Sequence, residues 1–203
     1  MITGAQSAGF WRTVWEDMRQ YSALKPQRRF PSAAAVVDAL LQPAFMAVFV
    51  FRVGNRLFGW HLKPFARLAY IFNLVVFGHD QWPGSKIGPG LVIPHPVGVA
   101  VAAVLGARVT LFGHVQIGAA GYEDPSRDGV PVLMDGVTVF AGGKIFGPVT
   151  VGEGALITAN TLVMKTVPAG AVVMGSPGRI VRFRDGYPGA VAKPPRPQKA
   201  VGE

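Results

Sequence analysis

The sequence predicts a mainly β solenoid preceded by a small α-helical region, and three observations carry that prediction. A large aliphatic residue recurs at every sixth position, first as Ile87, Ile93, Val99, Leu105, Leu111 and Ile117, then as Leu133, Val139, Ile145, Val151, Ile157 and Val163. Four positions after most of these stands a smaller or β-branched residue, as at Val97, Ala103, Val109, Val115, Val137, Val149, Ala155, Thr161 and Val167. Glycine often follows the large residue directly, in the pairs "IG", "LG" and "VG". A helix of about 3.6 residues per turn would scatter such a repeat over every face. Short stacked strands joined by turns that glycine relieves keep every large side chain pointing at one axis.

The elements follow in order. Residues 1 to about 30 form a polar, charged lead-in, with Phe10, Trp11, Val14, Trp15 and Met18 at helical spacing. Ser32 is placed to cap the helical stretch "AAAVVDALL", and the helical pattern continues to about Phe77 with breaks near Pro43 and Pro64. The hexads begin at Ile87. Between Ile117 and Leu133 the series is broken by sixteen residues, four more than two hexads, and the intervening "GYEDPSRDGVP" is rich in turn formers. It is expected to leave the solenoid as an exposed loop. The expected organisation is a helical region over 1–78, a solenoid over 79–183 with an excursion at 119–132, and a flexible proline-rich tail over 184–203.

Composition narrows the chemistry. Half of the 203 residues are hydrophobic, enough for one sizeable core and little for a second domain. Cysteine is absent, which excludes disulfides, thiolate metal sites and a cysteine nucleophile. The formal net charge of +9 points to an anionic partner, and no interleaved basic and aromatic cluster argues for nucleic acid. The first twenty residues lack the pattern of a signal peptide, so a cytoplasmic location is expected. The apolar runs "PAFMAVFVFRVGNRLFGW" and "LAYIFNLVVFG" are interrupted by arginines or fall short of the roughly 20 residues of a spanning helix. Flanked by Arg52, Arg56, Lys63 and Arg67, they suit either a packed helical subdomain or peripheral contact with a membrane face.

The repeat resembles the hexapeptide motif of left-handed parallel β-helix acyltransferases, in which three hexads make one triangular coil, so twelve imply about four coils. The order "D-x-x-P-x-x-K-I-G-x-G-x-x-x-x-H" (Asp80, Pro83, Lys86 to Gly88, Gly90, His95), with "FRVGNRL" before it and "VPAGAVVMGSPGRIV" after it, is similar to the serine O-acetyltransferase family. It also resembles acetyltransferases of bacterial capsule and exopolysaccharide clusters. The resemblance covers about residues 45 to 182 and implies acetyl-CoA as co-substrate and a homotrimer with active sites between neighbouring solenoids. No metal is expected, because the histidines lack a short ligand spacing such as H-x-x-x-H.

An acceptor hydroxyl needs a base to take its proton as it attacks a thioester, and histidine suits that task near neutral pH. By resemblance His95 is the base and Asp80 the carboxylate that orients it. His79 and His114 are the competitors: His79 abuts Asp80 and is expected to be either the true partner or a simple surface residue, and His114 has no acidic neighbour in sequence. The loop residues Tyr122, Glu123, Asp124, Arg127 and Asp128 are expected to touch the acceptor or to form a solvated tip. The segment "AGGKIFG" offers Ala141 and Gly142 as small groups for a pantetheine arm, the glycine equally suiting a turn, and Lys144, Lys165, Arg179 and Arg182 are available as cations for phosphates. The resemblance places Ala119, Ala120 and Ala141 along the pantetheine groove and Lys165 with Arg179 near the nucleotide end. Four positions depart from the serine-specific pattern. Pro94 stands where the family has an aspartate that binds the amino group of serine, Gly129 and Val130 replace the arginine and histidine that hold its carboxylate, and a helical-domain aspartate falls near Arg29. The departures favour a sugar hydroxyl in an exopolysaccharide or capsule precursor as acceptor. The alternatives are a serine O-acetyltransferase and, less favoured, a non-catalytic solenoid.

Overall fold

The computed structural model describes residues 9–24, 31–120 and 129–188. Four helices come first: α1 (Phe10–Ala23), α2 (Ala33–Leu40), α3 (Pro43–Gly59) and α4 (Lys63–Phe77). Proline lies in the first turn of both α3 and α4, where its missing N–H breaks no helical bond. Helix α4 ends at Gly78, whose φ of 64° is the left-handed cap that turns the chain into the first strand. No helix among the described residues is long and apolar enough to cross a membrane.

The rest is a left-handed parallel β-helix with three faces. Face A stacks β1 (His79–Gln81), β2 (Val99–Val101), β5 (Gln116–Gly118), β8 (Lys144–Phe146) and β11 (Leu162–Val163). Face B stacks β3 (Val104–Leu105), β6 (Val132–Leu133) and β9 (Thr150–Val151), extended by bridges from Ile87 to Leu105 and from Val151 to Val167. Face C stacks β4 (Thr110–Leu111), β7 (Thr138–Val139), β10 (Leu156–Ile157) and β12 (Ala171–Met174), and β13 (Arg179–Phe183) folds back antiparallel on β12. The four coils of hexads are thus prolonged at both ends. Leu105, Leu111, Leu133, Val139, Ile145, Val151 and Ile157 are fully buried along the axis, as the repeat requires.

Register refines the hexad count in two places. A regular turn advances eighteen residues, as from Thr138 to Leu156 or from Lys144 to Leu162. Val101, not Val99, lies beside Ile117, and Val99 lies beside His79. The corner after Ile93 therefore holds two extra residues and the corner after Val101 two fewer, and the two deviations cancel in the sequence. Val97, a member of the small-residue series, lies out in solvent at this enlarged corner. The second refinement concerns the loop. Val104 pairs with Val132, a step of twenty-eight, so Ile117 and Leu133 are consecutive and the excursion adds ten residues to one corner, not four to two hexads.

Among the described residues, a buried ion pair joins helices and solenoid. Arg52 of α3 donates to Asp17 of α1 through Nε (2.8 Å) and Nη2 (3.0 Å). Asp17 Oδ1 also accepts from the backbone N–H groups of Gly90 and Leu91, each at 2.8 Å. The guanidinium donates further to the carbonyls of Ile87 (2.8 Å) and Gly88 (2.7 Å). Burial pushes the Asp17 carboxyl pKa up, while Arg52 and the two amides pull against it. Asp17→Ala would strand a buried guanidinium and two amides. The expected loss is about 3–5 kcal/mol, read as a lower denaturation midpoint with an unchanged slope.

Candidate active site

One corner of the prism is turned by a left-handed residue on every rung. Gly78, Gly98, His114, Gly142 and Asn160 have φ of 64°, 70°, 59°, 71° and 55°. Hydrogen bonds run down this column, from Gly98 N to Gly78 O (2.9 Å), His114 N to Val97 O (3.0 Å), Gly142 N to Gly113 O (3.0 Å) and Asn160 N to Ala141 O (2.9 Å). Glycine at 98 does more than permit the turn, because the His114 ring occupies the place where a Cβ there would go. At Gly142 the Asn160 side chain fills the same space.

His95 stands on the enlarged corner of this column and is exposed. Its ring tilts against Phe112 with centroids 6.4 Å apart, and Phe112 stacks on Phe140 at 5.0 Å and 8°. A Cβ at Gly113 would come within 3.2 Å of the His95 Cβ, so glycine there leaves the histidine its room. The site is a polar, protonatable ring at the head of an aromatic ladder.

Asp80 lies on β1 beside Ala100. It shares no hydrogen bond with His95 in this chain. Its Oδ1 instead accepts from the Tyr70 hydroxyl of α4 at 2.9 Å. Tyr70 is neutral at ordinary pH, since burial and then the hydrogen bond and charge of Asp80 raise its pKa. Tyr70 carries no signal in the sequence, because a tyrosine in an apolar helix has no diagnostic spacing, and only tertiary contact assigns it.

The competing histidines separate cleanly. His79 points inward from β1, is fully buried, and among the described residues neither ring nitrogen has a partner within hydrogen-bond geometry, Gln81 being a neighbour only. Burial drives its pKa down to about 4, against the opposing pull of Gln81 and Asp80. Such a ring is a neutral core residue, out of reach of an acceptor. His114 is exposed on the rung below His95, with its ring over Gly98.

The expected donor residues fall into separate groups. Ala141 and Gly142 lie at the corner before face A, and Ala119 and Ala120 at the corner after it, so the strands of face A lie between them. Ala120 packs near Gly147, where a Cβ would meet its own at 3.1 Å. Lys144 is exposed on β8 and its Nζ donates to Gly142 O at 3.3 Å. Lys165 and Arg179 come together, both lining a cavity of about 710 Å³ with Leu162, Met164, Gly178 and Ile180 at the far end of the solenoid. Tyr122, Glu123, Asp124, Arg127 and Asp128 lie outside the described residues.

No family model matches the chain. Among individual proteins, it is 33% identical over 166 residues to the serine acetyltransferase of Mycobacterium tuberculosis, covering 80% of this chain and 72% of that protein. It is 32% identical over 161 residues to the serine acetyltransferase of Synechococcus elongatus, covering 78% of this chain and 65% of the relative. Solved structures agree. The serine acetyltransferase of Neisseria gonorrhoeae superposes with a TM-score of 0.76 at 27% identity, over 86% of this chain and 66% of that one. A serine acetyltransferase in complex with CoA gives 0.74 at 28%, over 85% and 69%.

The buried ring of His79 sets an acid limit on the fold. Below pH about 6.5 the unfolded chain takes up a proton that the folded chain refuses until about pH 4. Stability is fully present above the unfolded value and falls as pH drops through that window, by about 3 kcal/mol from this residue. In His79→Leu that part of the slope should vanish, checked by urea denaturation at several pH values between the two limits.

Proposed function

The chain belongs to the serine acetyltransferase family, and from that premise we propose that it transfers the acetyl group of acetyl-CoA to the hydroxyl of L-serine, with His95 as the base. Its class is that of an acyltransferase drawing on acetyl-CoA. The observation that carries the choice of acceptor is the identity of 33% to a serine acetyltransferase across four-fifths of the chain.

The chemistry is a single displacement through a tetrahedral intermediate. The imidazole of His95 takes the hydroxyl proton as the oxygen attacks the thioester carbonyl. Collapse breaks the carbon–sulfur bond, and the imidazolium returns the proton to the departing thiolate, leaving an ester and free coenzyme A. Asp80 supplies a negative charge beside the column that favours the imidazolium, and Tyr70 holds that carboxylate by its hydrogen bond. Lys165 and Arg179, gathered in one cavity, suit the phosphates of coenzyme A. Ala119, Ala120, Ala141, Gly142 and Lys144 bound the face along which the pantetheine arm would run.

A second acceptor, a sugar hydroxyl of a glycan precursor, is favoured by one specific observation. Pro94, Gly129 and Val130 offer no charge where the resemblance places the contacts to the amino and carboxylate groups of serine. A neutral polyol loses nothing by their absence, whereas an unpaired zwitterion would.

Thiol release from acetyl-CoA with L-serine as acceptor tests both readings. The expected result is turnover that falls by about a hundredfold or more in His95→Ala. No release with serine, alongside His95-dependent release with a sugar-nucleotide or oligosaccharide acceptor, replaces the first reading by the second. Tyr70→Phe frees Asp80 from its donor and makes it a stronger partner for an imidazolium. The acidic limb of the kcat/KM profile should then move to higher pH, with a loss of a few-fold at neutral pH; a profile that stays in place removes Tyr70 from the scheme.

A further inference from the structure

Helix α4 packs on α3 along one side and leaves the other uncovered. Phe65, Leu68, Ile71, Phe72, Val75 and Val76 project from that side, with Leu68 exposed to 62% and Val75 to 76%. Spacings of three and four make them one stripe along the helix. A stripe of this size on a fifteen-residue helix is far from the scattered exposed apolar residues of an ordinary surface.

Charge says what would cover it. From Asp38 to Asp80 the sequence has no intervening aspartate or glutamate. Lys63 and Arg67 are exposed on α4, and Arg56 lies over the exposed ring of Trp60 at 4.9 Å at the turn that leads into it. The stripe is therefore bordered by cations and an aromatic residue, without one acidic side chain on α3 or α4 to pair with a like surface. A second copy meeting this face would bring only more apolar and cationic side chains, with no carboxylate on α3 or α4 to pair with them. An anionic lipid surface takes both halves of the pattern, with the apolar stripe at the level of the acyl boundary and the cations among the phosphates.

We propose that α4 is a membrane-surface element that lays the chain on anionic bilayers without crossing them. The full chain, net +9, should float with vesicles of phosphatidylcholine mixed with phosphatidylglycerol at low salt and remain unbound to phosphatidylcholine alone. Leu68→Gln with Val75→Gln should cut partitioning by about tenfold or more, and Lys63→Glu should cut it and flatten its salt dependence. None of the three residues belongs to the proposed active site, so thiol release should persist in every variant. Three outcomes overturn the proposal: no flotation on either vesicle, equal flotation on both, or a double variant that floats like the wild type. Sedimentation that shows an assembly lost in the double variant, with vesicles left bare, would assign the stripe to a second copy of the chain.

Discussion

The Asp17–Arg52 pair is the constraint on which the rest of the molecule depends, because a solenoid has two open ends. Every inner rung satisfies its backbone groups from the rungs above and below. The first rung has nothing above it, and bare backbone groups there are both costly and adhesive. Asp17 and Arg52 meet that need with charged groups that accept from Gly90 and Leu91 and donate to Ile87 and Gly88. The far end is closed differently, by β13 turning back along β12. The helices are therefore a lid on a repeat, and their charged contact is buried because the backbone it serves is buried.

Fixing the first rung also fixes α4 against β1, and so brings Tyr70 to Asp80. Asp17 and Arg52 hold α1 and α3; α3 packs on α4; α4 runs through Gly78 into His79 and Asp80. Side-chain placement at the candidate site thus descends from a contact in another part of the fold. Arg52 is read from sequence as an interruption in an apolar run, which is correct as far as it goes. Its partner lies thirty-five residues away on another helix, a separation across which local pattern carries no information.

The repeat itself was legible because each rung repeats the same physical demand. A large aliphatic residue on the axis and a small one beside the turn are required anew every six positions, so the pattern accumulates. Its exceptions were legible only in part. The ten-residue excursion announces itself by breaking the count, although the count alone misjudges how many hexads it replaces. The swelling of two residues at His95 leaves no trace, since the next corner gives two back and Val99 still falls on a sixth position. His79 shows the converse. It looked like a rival base beside Asp80, yet the alternation of β1 turns it inward, and no sequence neighbour reveals that alternation in a strand of three residues.

Chemistry in such a fold belongs where the period fails. A residue that obeys the repeat has its direction, depth and neighbours set by the rungs on either side, and Ile145 or Leu133 can do nothing except fill the axis. Among the described residues, His95 sits on the enlarged step between faces C and A, and the ten extra residues of the sequence fall at the enlarged step between A and B. Both steps border face A, where Asp80 lies on the uppermost strand and Lys144 on a lower one. Regular rungs around these steps hold them rigidly, so an irregular corner can carry an exposed imidazole without loosening the fold. Acceptor preference can then change by exchange of corner residues such as Pro94, Gly129 and Val130, none of which points to the axis. The cations proposed for coenzyme A stand apart from those residues, Lys144 on a face and Lys165 with Arg179 at the far end, so such an exchange leaves them in place.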